Sequence, residues 1–337
     1  MRHVAATHLL VGNPTAQSGR NAARIAEARR LLAEAGVAPD FLATEPEGRT
    51  VAALTAALDT TPYACVIYMG GDGTFREVAA GLLGSARAGE VALGMLPTGT
   101  ANDQGQSFGL HAGDEELARN VAVVLSGHET RLDAGRIKAG ERSELFFDSA
   151  GWGLSARVLA ARNLDREKIA GFGPLKELYR DQLVYAGALL REFLGSYVTS
   201  DKFNAIIDAD GVRHELAGLT DLVISGTRVY GGAWVFDRTS CHDDGLFEIV
   251  PFCGKRDWTS KAIVDLDGNP LTEERLNAVG IEHSRPFRGG HIVIDFDVPD
   301  GHAPLVAQID GEEFIATSRV EVDVQQQALR VIVPGPG

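Results

Sequence analysis

Three glycines and one aspartate at the end of an apolar run constrain this chain more than any other stretch. Ala64-Cys-Val-Ile-Tyr-Met69 reads as a buried strand, Gly70-Gly-Asp-Gly-Thr74 as a tight loop, and Phe75-Arg-Glu-Val-Ala-Ala-Gly-Leu-Leu83 as a helix. Glycine lets the backbone take positive φ and brings main-chain N–H groups close to a bulky anion with no Cβ between them. The following helix points its free N–H groups and positive dipole end into the loop. The pattern predicts a phosphate cradle. Asp72 inside it would repel phosphate unless a cation lay between them, so Asp72 is expected to touch Mg2+ directly or through water.

Composition narrows the setting. At 337 residues the chain is long for one core, and two domains are expected. With 45% hydrophobic and 23% charged residues it reads as a soluble globular protein. Cys65, Cys241 and Cys253 are odd in number and scattered, which points to a reducing, cytoplasmic setting without a disulfide framework. Val4-Ala-Ala-Thr-His-Leu-Leu-Val11 is too short for a secretory signal and reads as the first strand. No run approaches the roughly 20 apolar residues that a bilayer span needs. A net charge of −14 argues against a nucleic-acid partner and against broad adhesion to an anionic membrane.

Strands and helices alternate through the first 130 residues. Leu9-Leu-Val-Gly-Asn-Pro14 runs into a loop, and Arg20 to Ala35 is an Ala-rich helix stopped by Gly36. Phe41 to Thr44 is a second strand, Val51 to Leu58 a second helix, Val91 to Leu96 a further strand, and Glu115 to Leu125 a further helix. Such alternation means a parallel sheet with helices on both faces, in which ligands sit beyond the carboxyl ends of the strands. Asn13, Thr44, the Gly70 loop and Pro97-Thr-Gly-Thr-Ala-Asn-Asp103 all fall at such ends.

After Leu132 short β-like runs dominate, among them Phe203–Ile207, Leu246–Val250, His291–Phe296 and Leu329–Val333. They predict a mostly antiparallel β-sandwich. One helix interrupts it, from Pro174 to Gly195, with Leu175, Leu178, Tyr179, Leu183, Ala186, Leu190 and Phe193 at helical spacing. It reads as a cover for one sandwich face, with membrane docking as the rival. Arg157 to Arg191 holds seven Lys/Arg against four Asp/Glu, a local basic excess on an acidic protein.

Several chemistries are set aside. There is no Gly-Lys-Ser/Thr of a Walker loop, no Gly-x-Ser-x-Gly elbow, and no Gly-x-Gly-x-x-Gly after the first strand. No Cys or His pair has zinc spacing, and Cys241-His242-Asp243-Asp244 has no second ligand cluster nearby. What remains is a set of carboxylates at turns: Asp72, Asp103, Asp133, Asp243-Asp244 and Asp310-Gly-Glu312. Each alone is also satisfied by an ordinary turn.

The ordered set resembles the diacylglycerol kinase catalytic domain family, especially its soluble bacterial lipid kinase branch, related to sphingosine and ceramide kinases. Asn13-Pro14 with Gly19 is similar to that family's first phosphate loop, lengthened by Ala16-Gln-Ser18. Thr44 matches a nucleotide-contacting threonine, Gly70-Gly-Asp-Gly-Thr74 the signature, and Pro97-Thr-Gly-Thr100-Ala-Asn-Asp103 a second one. Leu132-Asp133, Ala150-Gly-Trp-Gly153, Asp243-Asp-Gly-Leu246 and Asp310-Gly-Glu312 follow in the family's order over nearly the whole chain. Arg76 departs from it, where the family often has Asn.

The resemblance implies ATP-dependent phosphorylation of a lipid hydroxyl in a cleft between the domains. It implies nucleotide contacts from Asn13, Thr44, Gly70, Gly71, Asp72, Gly73, Thr74, Arg76, Thr100 and Asn102. It also implies a structural Mg2+ held by Asp244 and the carbonyls of Cys241 and Leu246, and a catalytic Mg2+ network including Asp72, Asp103 and Asp133. Glu312 is expected to take the hydroxyl proton. Asp310, placed by strand geometry on the same face, would raise its pKa.

The expectation is an α/β chain. A doubly wound parallel-sheet nucleotide domain at 1–132 precedes a mostly antiparallel β-sandwich lipid-binding domain at 133–337, with a return of the last residues to the first domain left open. The expected activity is ATP- and Mg2+-dependent phosphorylation of diacylglycerol or a similar long-chain lipid alcohol by a cytoplasmic enzyme with transient access to the membrane surface; a homodimer is left open. Trp152, Phe172, Trp234 and Phe236 are candidates to line the acyl slot, each also satisfied by a place in the core. The rival readings are an NAD kinase, whose fold and glycine loop are related, and a non-catalytic regulator that binds nucleotide or lipid.

Overall fold

The structure is a computed structural model describing residues 7–99, 101–157, 159, 202–230, 239–253, 285–302 and 304–335. The helix expected at Pro174 to Gly195 lies outside the described residues, as do Thr100, Phe172, Trp234 and Phe236 and most of the basic stretch after Arg157. The chain forms two compact units. Unit 1 comprises Met1–Ala134, Cys241–Gly245 and Gln325–Gly337; unit 2 comprises Gly135–Ser240 and Leu246–Val324.

The first part of the chain runs β1 (Thr7–Gly12), α1 (Arg20–Glu34), β2 (Asp40–Ala43), α2 (Arg49–Thr60), β3 (Tyr63–Gly70), α3 (Asp72–Gly84), β4 (Ala92–Pro97), α4 (Asp103–Ser107) and α5 (Leu117–Ser126). There follow β5 (Glu129–Ala139), β6 (Arg142–Phe146), β7 (Ser149–Gly153), β8 (Phe203–Ala209), β9 (Val212–Leu219) and β10 (Asp221–Ser225). The chain closes with β11 (Phe247–Phe252), β12 (Phe287–Gly289), β13 (His291–Asp297), β14 (Ala307–Ile309), β15 (Glu312–Phe314) and β16 (Arg319–Ile332).

Unit 1 is an α/β layer structure on a parallel sheet ordered β2-β1-β3-β4, with the end of β16 beside β4. Side chains alternate across the sheet. Leu10, Ile67, Met69 and Leu96 pack with Ile25, Leu32 and Val121 of α1 and α5. Tyr68 points the other way and meets Phe75 of α3 edge-on at 5.4 Å. Helices therefore cover both faces. The strand order reverses between β1 and β3, which are paired so that Gly12 lies opposite Met69. The loops at Asn13 and Gly70 thus leave the sheet side by side at the switch point, where open α/β sheets bind ligands.

Unit 2 consists of two antiparallel sheets. One carries the start of β16 with β13, β8 and β9, and the other is ordered β12-β11-β10-β7-β14-β15. Ile207, Ile294 and Val322 from the first and Trp152, Ile224, Ile249 and Ile309 from the second share one core, so the sheets form a sandwich. Trp152 is fully buried there, 5.3 Å from Phe296. Among the described residues no helix is long and apolar enough to cross a membrane.

Candidate functional site

The β1 loop is braced by its own polar groups. Asn13 Oδ1 accepts from the Thr15 N–H (2.9 Å) and hydroxyl (2.8 Å), and Asn21 Nδ2 donates to the Asn13 carbonyl (2.7 Å). Asn21 was missed in the sequence, although its signal was there. It sits at helical spacing with Ile25, Ala28 and Leu32 on the buried face of α1, and a polar residue in such a row needs a partner. The Thr44 N–H donates to the Gly12 carbonyl at 3.0 Å, which brings the end of β2 to the same rim.

The two glycine loops are one object. A Cβ on Gly70 would stand 2.3 Å from the Thr74 hydroxyl, and one on Gly99 2.4 Å from the Gly71 Cα. Real Cβ atoms do not approach so closely, so glycine is required at Gly70 for its turn onto Thr74 and at Gly99 for the approach of the second loop to the first. Asn102, at a left-handed φ of 54°, closes the second loop: its Oδ1 accepts from the Gly99 N–H and its Nδ2 donates to the Gly99 carbonyl, both at 2.8 Å. The Thr98 N–H donates to the Gly70 carbonyl at 2.8 Å. Beside this clasp the N-terminus of α3 has no side-chain cap, and Gly73 faces open space, where a Cβ would meet no atom within 4 Å. Main-chain N–H groups with the positive helix end behind them are left to face an anion.

Asp72, the first residue of α3, is half-buried and turned toward the second loop, where its Oδ2 accepts from the Asn102 N–H at 2.8 Å. Burial pushes its carboxyl above the ordinary range, against the N–H groups of Asn102, Asp103 and Gln104, which pull it down. Asp103 is buried and opens α4, a five-residue helix not visible in the sequence pattern because it is too short to show a period. Arg76 lies in the second turn of α3.

Asp133 ties three distant stretches of unit 1 together. Its Oδ2 accepts from the Gly245 N–H (2.7 Å), its Oδ1 from the Gln327 N–H (2.6 Å), and its own N–H donates to the His242 carbonyl (2.8 Å). Burial raises its pKa, the two N–H bonds oppose this, and Asp244 and Asp243 add to the rise. In the same turn the exposed Cys241 thiol donates to Asp243 Oδ1 at 3.1 Å, and this bond holds the thiol above its ordinary value. Leu246 begins the next stretch of unit 2.

In unit 2 one geometric expectation is corrected. Asp310 and Glu312 do not share a strand face, because Asp310 (φ 47°) and Gly311 (φ 76°) are the two turn residues between β14 and β15. Asp310 is therefore turned inward and Glu312 is exposed. The Asp310 carboxylate accepts from the N–H groups of Phe147 (3.0 Å), Asp148 (2.8 Å) and Ser149 (3.1 Å). Gln308, a further residue missed in the sequence, is buried and latches the turn: its Oε1 accepts from the Gly311 N–H at 2.9 Å. Nothing in a lone glutamine beside a strand signals that role.

Against this geometry stand the comparisons with known proteins. A family model described as Diacylglycerol kinase catalytic domain matches residues 7–137. The family resemblance holds. The diacylglycerol kinase match takes in the whole run of loops from Asn13 to Asp133. The chain is 33% identical over 142 residues to a protein named "Probable lipid kinase YegS-like" from Klebsiella pneumoniae (strain 342), covering 42% of this chain and 44% of that one. It is 28% identical over 186 residues to a diacylglycerol kinase of Mycobacterium tuberculosis (strain H37Rv), covering 55% and 53%. The chain thus spans about half the length of the curated relatives it matches. The crystal structure of a diacylglycerol kinase from Bacillus anthracis str. Sterne matches over 97% of both chains, with a TM-score of 0.66 and 18% identity, a likeness of fold.

Proposed function

We propose that this chain is a lipid kinase of the diacylglycerol kinase type that transfers the terminal phosphoryl group of ATP to the hydroxyl of diacylglycerol or a similar long-chain lipid. The observation that carries the reading is the Gly71–Gly99 contact beside the uncapped N-terminus of α3. It puts the first turn of α3, whose N-cap Gly71 makes no side-chain cap bond, at the switch point of a parallel sheet, the kind of surface on which a polyphosphate binds. No lysine lies in either glycine loop, so charge neutralisation falls to N–H groups and a divalent cation.

In this reading Asn13, Thr44, residues 70–74, Arg76 and Thr100 bind the nucleotide. Asn102 shapes the second loop through its clasp on Gly99. Asp72 and Asp103, with Asp133, would belong to the network around a catalytic Mg2+, which when bound supplies positive charge between these carboxylates and the phosphates. The Asp244 carboxylate with main-chain carbonyls of Cys241 and Leu246 is an all-oxygen donor set, which suits a structural Mg2+. Asp133 anchors the turn that carries Asp244. Glu312, exposed at the head of β15, accepts the proton of the lipid hydroxyl, and Asp310 holds the turn that presents it. Access to the lipid is at the membrane surface, by a chain with no spanning helix among its described residues.

The test is labelled ATP with Mg2+ and mixed micelles of diacylglycerol, phosphatidylglycerol, ceramide and sphingosine, resolved by chromatography, with NAD as a separate arm. One labelled lipid should appear, and Glu312→Gln should abolish it without unfolding the protein. NADP formation at a useful rate, or tight ATP binding with no transfer to any lipid, would overturn the proposal.

A further inference from the structure

The Cys241-His242-Asp243 tripeptide offers sulfur, nitrogen and oxygen donors of three different kinds, and their ligating atoms lie within 4.8 Å of one another. Consecutive residues in a strand would point to opposite faces; here a turn brings them to one side. The turn is held from outside. The Asp133 N–H donates to the His242 carbonyl, the Gly245 N–H returns to Asp133 Oδ2, and Gln326 Nε2 donates to the Asp243 carbonyl at 3.1 Å. The imidazole is fixed as well. Thr130 Oγ1 lies 3.1 Å from its Nε2, and Phe108 packs edge-on to the ring at 4.9 Å. A second partner on one ring nitrogen is the arrangement that orients a metal-binding histidine through the other. The Asp243 carboxylate accepts from the Cys241 thiol and meets no lysine or arginine among the described residues.

The contrast with a second group is informative. His291, Glu321 and Asp323 also converge, but Lys138 Nζ stands 3.0 Å from Glu321 and 3.3 Å from Asp323 and already supplies the positive charge. Asp243 has no such cation beside it among the described residues. We propose that Cys241 Sγ, His242 Nδ1 and the Asp243 carboxylate bind a thiophilic divalent cation of the zinc class, with water in the fourth position. Ligands on one tetrahedral zinc ion lie about 3.5 Å apart, so small side-chain rotations from the present spacing close the site. The Cys241 thiol proton is released to solvent on binding. A thiolate and an imidazole select such a cation over Mg2+, which prefers the oxygen donors of the same turn.

The experiment titrates the metal-stripped full chain with Cd2+ and reads the ultraviolet thiolate-to-metal charge-transfer band, in the presence of millimolar Mg2+. We expect one equivalent to saturate the band. Cys241→Ser should abolish it, His242→Ala and Asp243→Asn should each weaken binding at least about tenfold, and Cys253→Ser should leave it unchanged. Circular dichroism of each metal-free variant confirms that the fold is kept. The proposal is overturned by a band that survives Cys241→Ser, by non-saturable binding, by displacement of Cd2+ by Mg2+, or by full affinity in both the His242 and Asp243 variants.

Discussion

A Cβ placed on Gly99 would stand 2.4 Å from the Cα of Gly71, and the clash would be with backbone that has no rotamer to escape through. Gly99→Ala should therefore push the two loops apart. The expected cost is about 1–3 kcal/mol, as for other overpacked sites, read as a lower denaturation midpoint together with lost ATP binding.

Gly73 supplies the opposite case two residues along from Gly71. It lies in α3 with open space around it, so Gly73→Ala should raise stability by about 0.5–1 kcal/mol through helix propensity. If the open space is where phosphate sits, the same change should weaken ATP binding by roughly tenfold, about 1.4 kcal/mol. Melting curves and calorimetric titration on one sample separate the two effects. A variant that is more stable and binds ATP as tightly as wild type would remove the phosphate from that spot.

Asp310 and Glu312 should part company under mutation. Asp310→Ala strips the acceptor from the N–H groups of Phe147, Asp148 and Ser149 and puts alanine at a positive φ. The expected loss is at least about 3 kcal/mol in denaturant unfolding. Glu312→Ala, at an exposed position, should change stability by no more than about 0.5 kcal/mol while abolishing transfer.

Asn102 carries both a backbone and a side-chain duty, and two substitutions separate them. Asn102→Gly keeps the left-handed φ and loses the clasp on Gly99; Asn102→Ala loses both. The glycine variant should cost about 1–2 kcal/mol and the alanine variant more. Hydrogen exchange at the Gly99 amide should speed up in both.

The three cysteines should differ in reactivity with pH. Burial pushes the Cys65 thiol up to about 12 from its ordinary 9.0, while Cys241 and Cys253 are exposed. Its folded value lies above its unfolded one, so its contribution to stability is complete below pH 9 and declines as pH rises through about 12. An aromatic disulfide reagent at neutral pH should count two thiols in the native protein and a third only in denaturant. Rapid modification of all three in the folded state would contradict the buried position of Cys65.

Much of unit 1 was legible because its rules are short-range. The apolar run from Ala64 and the glycines after it announced β3, the loop and α3, with the observed helix beginning at Asp72 inside the expected loop. The carboxylates were legible as residues and not as roles. Asp72, Asp133 and Asp310 stood out as acids at turns, but each proves to accept main-chain N–H groups from stretches 30, 112 and 194, or about 160 residues away. The face-sharing of Asp310 and Glu312 failed because a two-residue Asp-Gly turn replaces the strand to which the alternation rule applies.

The residue order alone settled most of the longer strands and helices and the glycine loops of unit 1, since periodicity and the absence of a Cβ act on the chain locally. Folding in three dimensions decided which loops touch, which N–H each carboxylate meets, and that Cys241, His242 and Asp243 converge. Those outcomes depend on where remote strands come to lie side by side, and no local spacing carries that information.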